Sequence, residues 1–404
     1  MKSRFVSGKL LLSTLLLTLA PAAMARTTWY ADGVNGNDNN NCKTPQTACK
    51  TIGHAISLAS SGDSVRVSPA IYTENLTISI NLNLIGSGAS TTIIDGGALT
   101  TVVTVQSSAA SVSLSKFTIR NGKSSAGGGI SNQGTLTLNY STVSGNNAGG
   151  VGRFDFCGGG GIVNQGGRLT INTSAINNNH ALIGAGICNA GTLTINRTTL
   201  SGNTASPVIY CEPAGVGGGI QNVSGALVIN NSTLTGNTAF SSFGDVCNHP
   251  AYGGGISYRG GGVTINNTTI SNNSVQGEWG GFGGGISGAV TLQNSIVADT
   301  AQGGNCYGTM NSNGYNLSSD DTCNFKGTGD LNNTNPVLGT LGDYGGPTQT
   351  IPLLSESPAI DAGNPSGCND GNGHLLRTDQ RGKPRPDREE KAGCDMGAFE
   401  RQSD

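Results

Sequence analysis

Apolar residues along most of the chain come in short alternating runs and not in helical stripes. Thr135-Leu136-Thr137-Leu138, Thr192-Leu193-Thr194-Ile195 and Val263-Thr264-Ile265 are typical. Alternation with period two predicts strands that bury one face. A second short strand follows each, as in Ser141-Thr142-Val143 and Thr198-Thr199-Leu200. Most units then turn on Ser144-Gly145-Asn146, Ser201-Gly202-Asn203, Thr235-Gly236-Asn237 or Ser271-Asn272-Asn273. One motif opens each unit. It occurs as Gly128-Gly129-Ile130, Gly160-Gly161-Ile162, Ala185-Gly186-Ile187, Gly218-Gly219-Ile220, Gly254-Gly255-Ile256 and Gly284-Gly285-Ile286. Self-similarity at this period predicts a solenoid.

Three short strands per unit, separated by Gly and Asn turns, cannot bury an apolar face alone. Stacked coils can, with inward ladders of Ile, Leu and Val about 4.8 Å apart. The predicted fold is all-β: a single-stranded right-handed parallel β-helix, with Asn side chains hydrogen-bonding along the corners. The leucine spacing and helices of leucine-rich repeats are missing. Degenerate first coils fall at 64–67, 76–85, 92–94 and 102–119. Upstream, Ile52, Ala55, Ile56 and Ala59 follow helical spacing and predict a short amino-terminal capping helix over the open end. The expected boundaries are 1–25 for a signal peptide, 26–68 for the amino-terminal cap, 69–350 for the repeats and 351–404 for a carboxy-terminal cap.

Composition sharpens this picture. Of 404 residues, 65 are Gly and only 11% are charged, for a net charge of -2. Such sparse charge argues against nucleic-acid binding, since nothing would neutralise a phosphate backbone. Lys2, Arg4 and Lys9, the apolar stretch at 10–20 and Ala23-Met24-Ala25 read as a secretory signal cut before Arg26. No later stretch is apolar enough to span a bilayer. The expected product is a secreted, extracellular monomer, with periplasm or cell surface as other destinations. All ten cysteines (Cys42, Cys49, Cys157, Cys188, Cys211, Cys247, Cys306, Cys323, Cys368 and Cys394) lie after that cut. Their even number in an oxidising compartment predicts disulfides. The expected pairs are Cys42–Cys49, Cys157–Cys188, Cys211–Cys247, Cys306–Cys323 and Cys368–Cys394. The last 28 residues hold 14 of the 46 charges, seven of each sign, a mixture expected of a salt-bridged closing structure.

Several of these residues resemble known groups. Gly62-Asp63-Ser64-Val65-Arg66-Val67 with Tyr72-Thr73-Glu74-Asn75 resembles the opening coil of pectin-lyase-like β-helix proteins. Ser357-Pro358-Ala359-Ile360-Asp361-Ala362-Gly363, Asp379-Gln380-Arg381-Gly382, Arg385-Pro386 and Cys394-Asp395-Met396-Gly397-Ala398-Phe399-Glu400 resemble the choice-of-anchor Q region of secreted bacterial proteins. The repeats are similar to those of polymorphic outer-membrane protein passengers. The resemblance implies an exported β-helix. Members of the anchor group often carry a sorting signal after this region; with the chain ending at Asp404, release is expected over attachment.

Chemistry has few places to reside. Asp320-Asp321 is the only adjacent Asp pair, but it lies outside the repeats among turn residues. The Asn-Thr-Asp, Gly-His-Gly and Arg-Ile-Lys sets that the resemblance would lead one to expect of polygalacturonase relatives are missing. Asn-x-Ser/Thr triplets such as Asn196-Arg197-Thr198 follow from the repeat itself. The glycines at 158–161 are no phosphate loop, because no Lys-Ser/Thr follows. The motif isoleucines are spaced 32, 25, 33, 36 and 30 residues apart, so most units carry an insertion just before the motif. These insertions stack on one side and collect the rare charged and aromatic residues: Arg153, Asp155 and Phe156; Tyr210 and Glu212; Phe243, Asp245 and His249; Glu278 and Trp279, with Arg259 just beyond.

The expected function is non-enzymatic binding of a polysaccharide or a host or cell-surface ligand by these loops. No cofactor is required. The alternative is a calcium-assisted polysaccharide lyase acting on an acidic polysaccharide, with Asp155, Glu212, Asp245 and Glu278 as weak calcium candidates.

Overall fold

A computed structural model of the chain describes residues 26–109, 111–149, 157–207, 214–242, 249–387 and 393–402. The trunk is a parallel β-helix. Its motif isoleucines stack in register, Ile130 on Ile162, then Ile187, Ile220, Ile256 and Ile286. The alternating strands stack likewise, with Leu138, Ile171, Ile195, Ile229, Ile265 and Leu292 in one column. A third column runs Val143, Ile176, Leu200, Leu234, Ile270 and Val297. Nearly all are fully buried and belong to one continuous core. A fourth column, Ala148, Ala181, Ala205, Ala239 and Val275, closes the cross-section with small residues.

Corners are set by backbone chemistry. The residue before the turn asparagine takes a left-handed conformation in each coil: Gly145, Asn178, Gly202, Gly236 and Asn272 have φ of 63°, 53°, 64°, 63° and 55°. Gly and Asn accept that region at least cost. The turn asparagines themselves are buried and bond along the stack. Asn146 donates to Asn179 at 3.0 Å, Asn179 to Asn203 at 3.0 Å, Asn203 to Asn237 at 2.8 Å and Asn237 to Asn273 at 2.9 Å. A second buried ladder joins Asn132, Asn164, Asn189 and Asn222, each step 2.7 Å. A third joins Asn139, Asn172, Asn196, Asn230 and Asn266 at 2.9–3.0 Å.

The amino-terminal end is covered as expected. The helix Ile52–Leu58 buries Ile52 and Ala55 on the core, and Cys42–Cys49 fastens the segment before it. At the other end Cys306–Cys323 and Phe325 plug the last coil. The chain then folds back as a strap along the side of the trunk, over the second short strands. Gln380 is buried between Thr199 and Thr233, donating to one at 2.9 Å and accepting from the other at 2.6 Å. Arg385 donates to Asn231 at 2.7 Å and pairs with Glu400 at 2.7 Å, both side chains fully buried. Ala398 N donates to Thr269 at 3.0 Å, and Met396 and Phe399 pack with Ile296 and Leu317. Cys368–Cys394 ties the strap to itself. Among the described tail charges, Arg381 pairs with Asp379 and Arg385 with Glu400, while Arg377 and Lys383 stay exposed. Asp320 is structural too: it accepts from Asn305 N at 2.9 Å and Thr322 Oγ1 at 2.7 Å beside the Cys306–Cys323 bridge.

Four disulfides join described residues, and no described cysteine is free, as an oxidising, non-cytoplasmic setting requires. The proposed Cys211–Cys247 pair and the signal segment lie outside the described residues. No described helix is long and apolar enough to cross a membrane.

Two expectations follow. Asn203→Ala removes the donor to Asn237 and the acceptor of Asn179 and leaves both buried. It should lower the unfolding free energy by about 1–3 kcal/mol in urea titrations. The strap should loosen as pH rises. Burial first, and the neighbouring Glu400 charge second, push the Asp395 carboxyl up to about 7. The folded state therefore holds a proton that the unfolded chain releases near pH 4. Stabilisation is full below that value and lost as pH climbs through about 7. Asp395→Asn should gain in Tm relative to the wild type between pH 5 and 8; an unchanged difference would show that Asp395 does not titrate in this range.

Candidate functional site

The short segments that carry the insertions stack on one side of the trunk. Ile183 bridges Val216, Val216 bridges Tyr252, and Ala251–Tyr252 pairs with Gly281–Phe282. Beside this row runs the outward column of the motif strands: Val163, Cys188, Gln221, Ser257, Ser287 and Tyr307. Between the two rows lies a groove of about 780 Å³. Val223 and Arg259, the turn residues after two motif strands, form its far side.

The groove changes character along the stack. At one end Ile183, Val216 and Val223 line an apolar patch, backed by the buried Cys188 of the Cys157–Cys188 disulfide. Next come the Gln221 amide and the hydroxyls of Ser257 and Ser287. Gln221 is 3% exposed, and its Oε1 has no hydrogen-bond partner. At the other end are three rings. Phe282 lies 4.7 Å from Tyr307 and 5.8 Å from Tyr252, centroid to centroid, and both Phe282 and Tyr307 are exposed.

A break in the repeat shapes the floor. Tyr258 stands where the second asparagine ladder would continue after Asn222. Asn222 turns its amide to Gly260 O at 2.7 Å instead. In the next coil Gly288 has φ of 122°, and a Cβ there would lie 2.5 Å from Tyr258 Cβ. Only glycine leaves room for the Tyr258 ring. Gly308, at φ 108°, continues this bare strip.

Of the residues expected from sequence, Arg153, Asp155, Phe156, Tyr210, Glu212, Phe243 and Asp245 lie outside the described residues. His249 and Arg259 line the groove. Glu278 and Trp279 sit on the turn that leads to Gly281–Phe282, with Trp279 N donating to Ser241 Oγ at 3.1 Å. Neither lines the groove among the residues described. Asp155, Glu212 and Asp245 are not described, so the calcium candidates reduce here to the exposed Glu278. Sequence reasoning missed Gln221, Tyr252, Tyr258, Phe282 and Tyr307. The available signal was a departure from the repeat: Tyr258 in an asparagine column and Tyr307 in a column otherwise filled by smaller residues.

No protein-family model matches the chain, and no curated protein matches it. Among solved structures it is similar to the GH136 lacto-N-biosidase from Eubacterium ramulus, in its selenomethionine derivative and its native form. Identity is 10% in both, with TM-scores of 0.40 and 0.36 over 72% of this chain. The match spans 60% and 64% of those chains, less than two thirds of their length. The likeness is one of β-helical architecture.

Gly288→Val should push the Tyr258 ring from its place and narrow the groove, at a stability cost of about 1–3 kcal/mol. Near-ultraviolet circular dichroism reports the ring and urea unfolding the cost. An unchanged tyrosine signal would mean that Gly288 does not set the floor.

Proposed function

We propose that this groove binds a glycan without transforming it. The observation that carries the reading is one groove that joins Tyr252 and Tyr307, which cluster with Phe282, to a buried amide whose Oε1 lacks a partner. Sugar rings present C–H faces to aromatic rings and hydroxyls to amides and serines. A groove that is largely apolar, with a few fixed polar groups, suits that mixed chemistry. Its course along the stack, with rungs about 4.8 Å apart, fits an extended chain better than a compact metabolite. In this reading the insertions carrying Tyr210, Glu212, Phe243 and Asp245 add further contacts, and His249 and Arg259 supply hydrogen bonds at the rim. The protein acts outside the cytoplasm as a carbohydrate-binding β-helix of adhesion type.

Retention on a glycan array, followed by titration calorimetry on the retained glycan, tests this. Tyr307→Ala and Tyr252→Ala should each weaken binding about tenfold, from lost ring contact and buried area, while leaving the Tm within a few degrees. No retention of any glycan, or retention unchanged by both substitutions, would overturn the reading. Release of unsaturated, ultraviolet-absorbing ends from acidic polysaccharides would replace it with the lyase alternative.

A further inference from the structure

The order of groups along the groove says more than that a sugar binds there. Gln221 is the point of departure. Its side chain is 3% exposed, lines the groove, and leaves Oε1 without a partner, while Nε2 has only a 3.5 Å contact to Asn222 O. An unsatisfied buried amide costs about 1–3 kcal/mol, and a ligand that satisfies it recovers that cost. On one side of Gln221 in the column is Cys188, locked to Cys157; on the other is Ser257. Val223, in the turn after the strand, lines the groove, as do Val216 and Ile183. The groove thus places an amide with an unpartnered Oε1 among a few apolar residues, with hydroxyls next along the floor and the tyrosines beyond.

We infer that the groove selects glycans containing N-acetylated hexosamine, with one acetamido group seated at Gln221. This rests on the glycan-binding reading above. An acetamido group joins an amide N–H and C=O to a methyl group within three bonds. A small rotation of the Gln221 side chain brings Oε1 to its N–H, and its methyl meets Ile183, Val216 and Val223. The ring hydroxyls then fall toward Ser257 and Ser287, and the next sugar along the chain reaches Tyr307. A plain hydroxyl at the same carbon would supply the hydrogen bond but leave the apolar patch uncovered. A carboxylate would place an acceptor against the Gln221 acceptor.

Chitohexaose and cellohexaose provide the test, because they share linkage and length and differ only at the second carbon of each sugar. Titration calorimetry should show chitohexaose binding at least tenfold tighter than cellohexaose. Gln221→Met keeps size but not hydrogen bonding; it should reduce that ratio about tenfold without changing the weak cellohexaose affinity. In saturation-transfer NMR, the acetyl methyl protons should receive the strongest transfer in the wild type. Equal affinity for the two hexaoses, or a ratio unchanged by Gln221→Met, overturns the acetamido assignment and leaves glycan binding to the array result. Binding of neither hexaose also overturns it. Loss of all glycans from the array would remove the broader reading with it.

Discussion

Every feature of the molecule depends on coils that repeat in register, and the buried asparagine ladders hold that register. A parallel sheet bonds its backbone at any register that preserves the pleat, so backbone pairing alone would tolerate slippage. A buried amide does not. Asn179 is fully enclosed and finds its donor and acceptor partners only if Asn146 and Asn203 lie directly above and below it. A slipped coil would leave those groups unpaired in a core where burying them unpaired is costly. The aliphatic columns then supply cohesion, and the left-handed Gly or Asn before each turn asparagine keeps the corners in line.

That constraint decides where variation is tolerated. Inward columns and corners admit few residue types, so the coil lengthens only before the motif strand. Side chains outside the ladders vary freely along the outward columns. The groove arises where both freedoms meet: the bases of the insertions form one wall, and the outward column of the motif strands forms the floor. Two local departures then enlarge it. Tyr258 interrupts an asparagine ladder, and Gly288 leaves the space that its ring requires.

The strap solves a different problem. The trunk's second short strands present outward threonines, and Gln380, Ala398 and the Arg385–Glu400 pair engage Thr199, Thr233, Thr269 and Asn231. The residues on which the resemblance to the anchor region rests are those making these contacts. The Arg385–Glu400 pair of this charged tail is therefore interior. Its burial is tolerable because Arg385 is bonded to Glu400, Asn231 and Gly397 at once. The groove lies on the main sheet and the strap on the second, so closing one side leaves the other open.

Much of the architecture was legible in the chain itself. Periodic Ile, Leu, Gly and Asn determined the coil, the inward columns and the ladders, because each depends on residues one repeat apart and a repeat displays that relation directly. The capping helix and four disulfides were legible for a similar local reason: helical spacing in one case, neighbouring cysteines in the other. The site was legible only as a side of the trunk. His249 and Arg259 do line it, whereas Trp279 and Glu278 stand on an adjoining turn. What gives it its character is the approach of Tyr252, Phe282 and Tyr307 from three segments and an amide oxygen left unpaired at Gln221. The strap's place along the trunk was likewise settled only by folding. Composition and period determine which residues face inward; which outward residues meet, and which polar atoms are left without a partner, depends on distances that only the packed coils set.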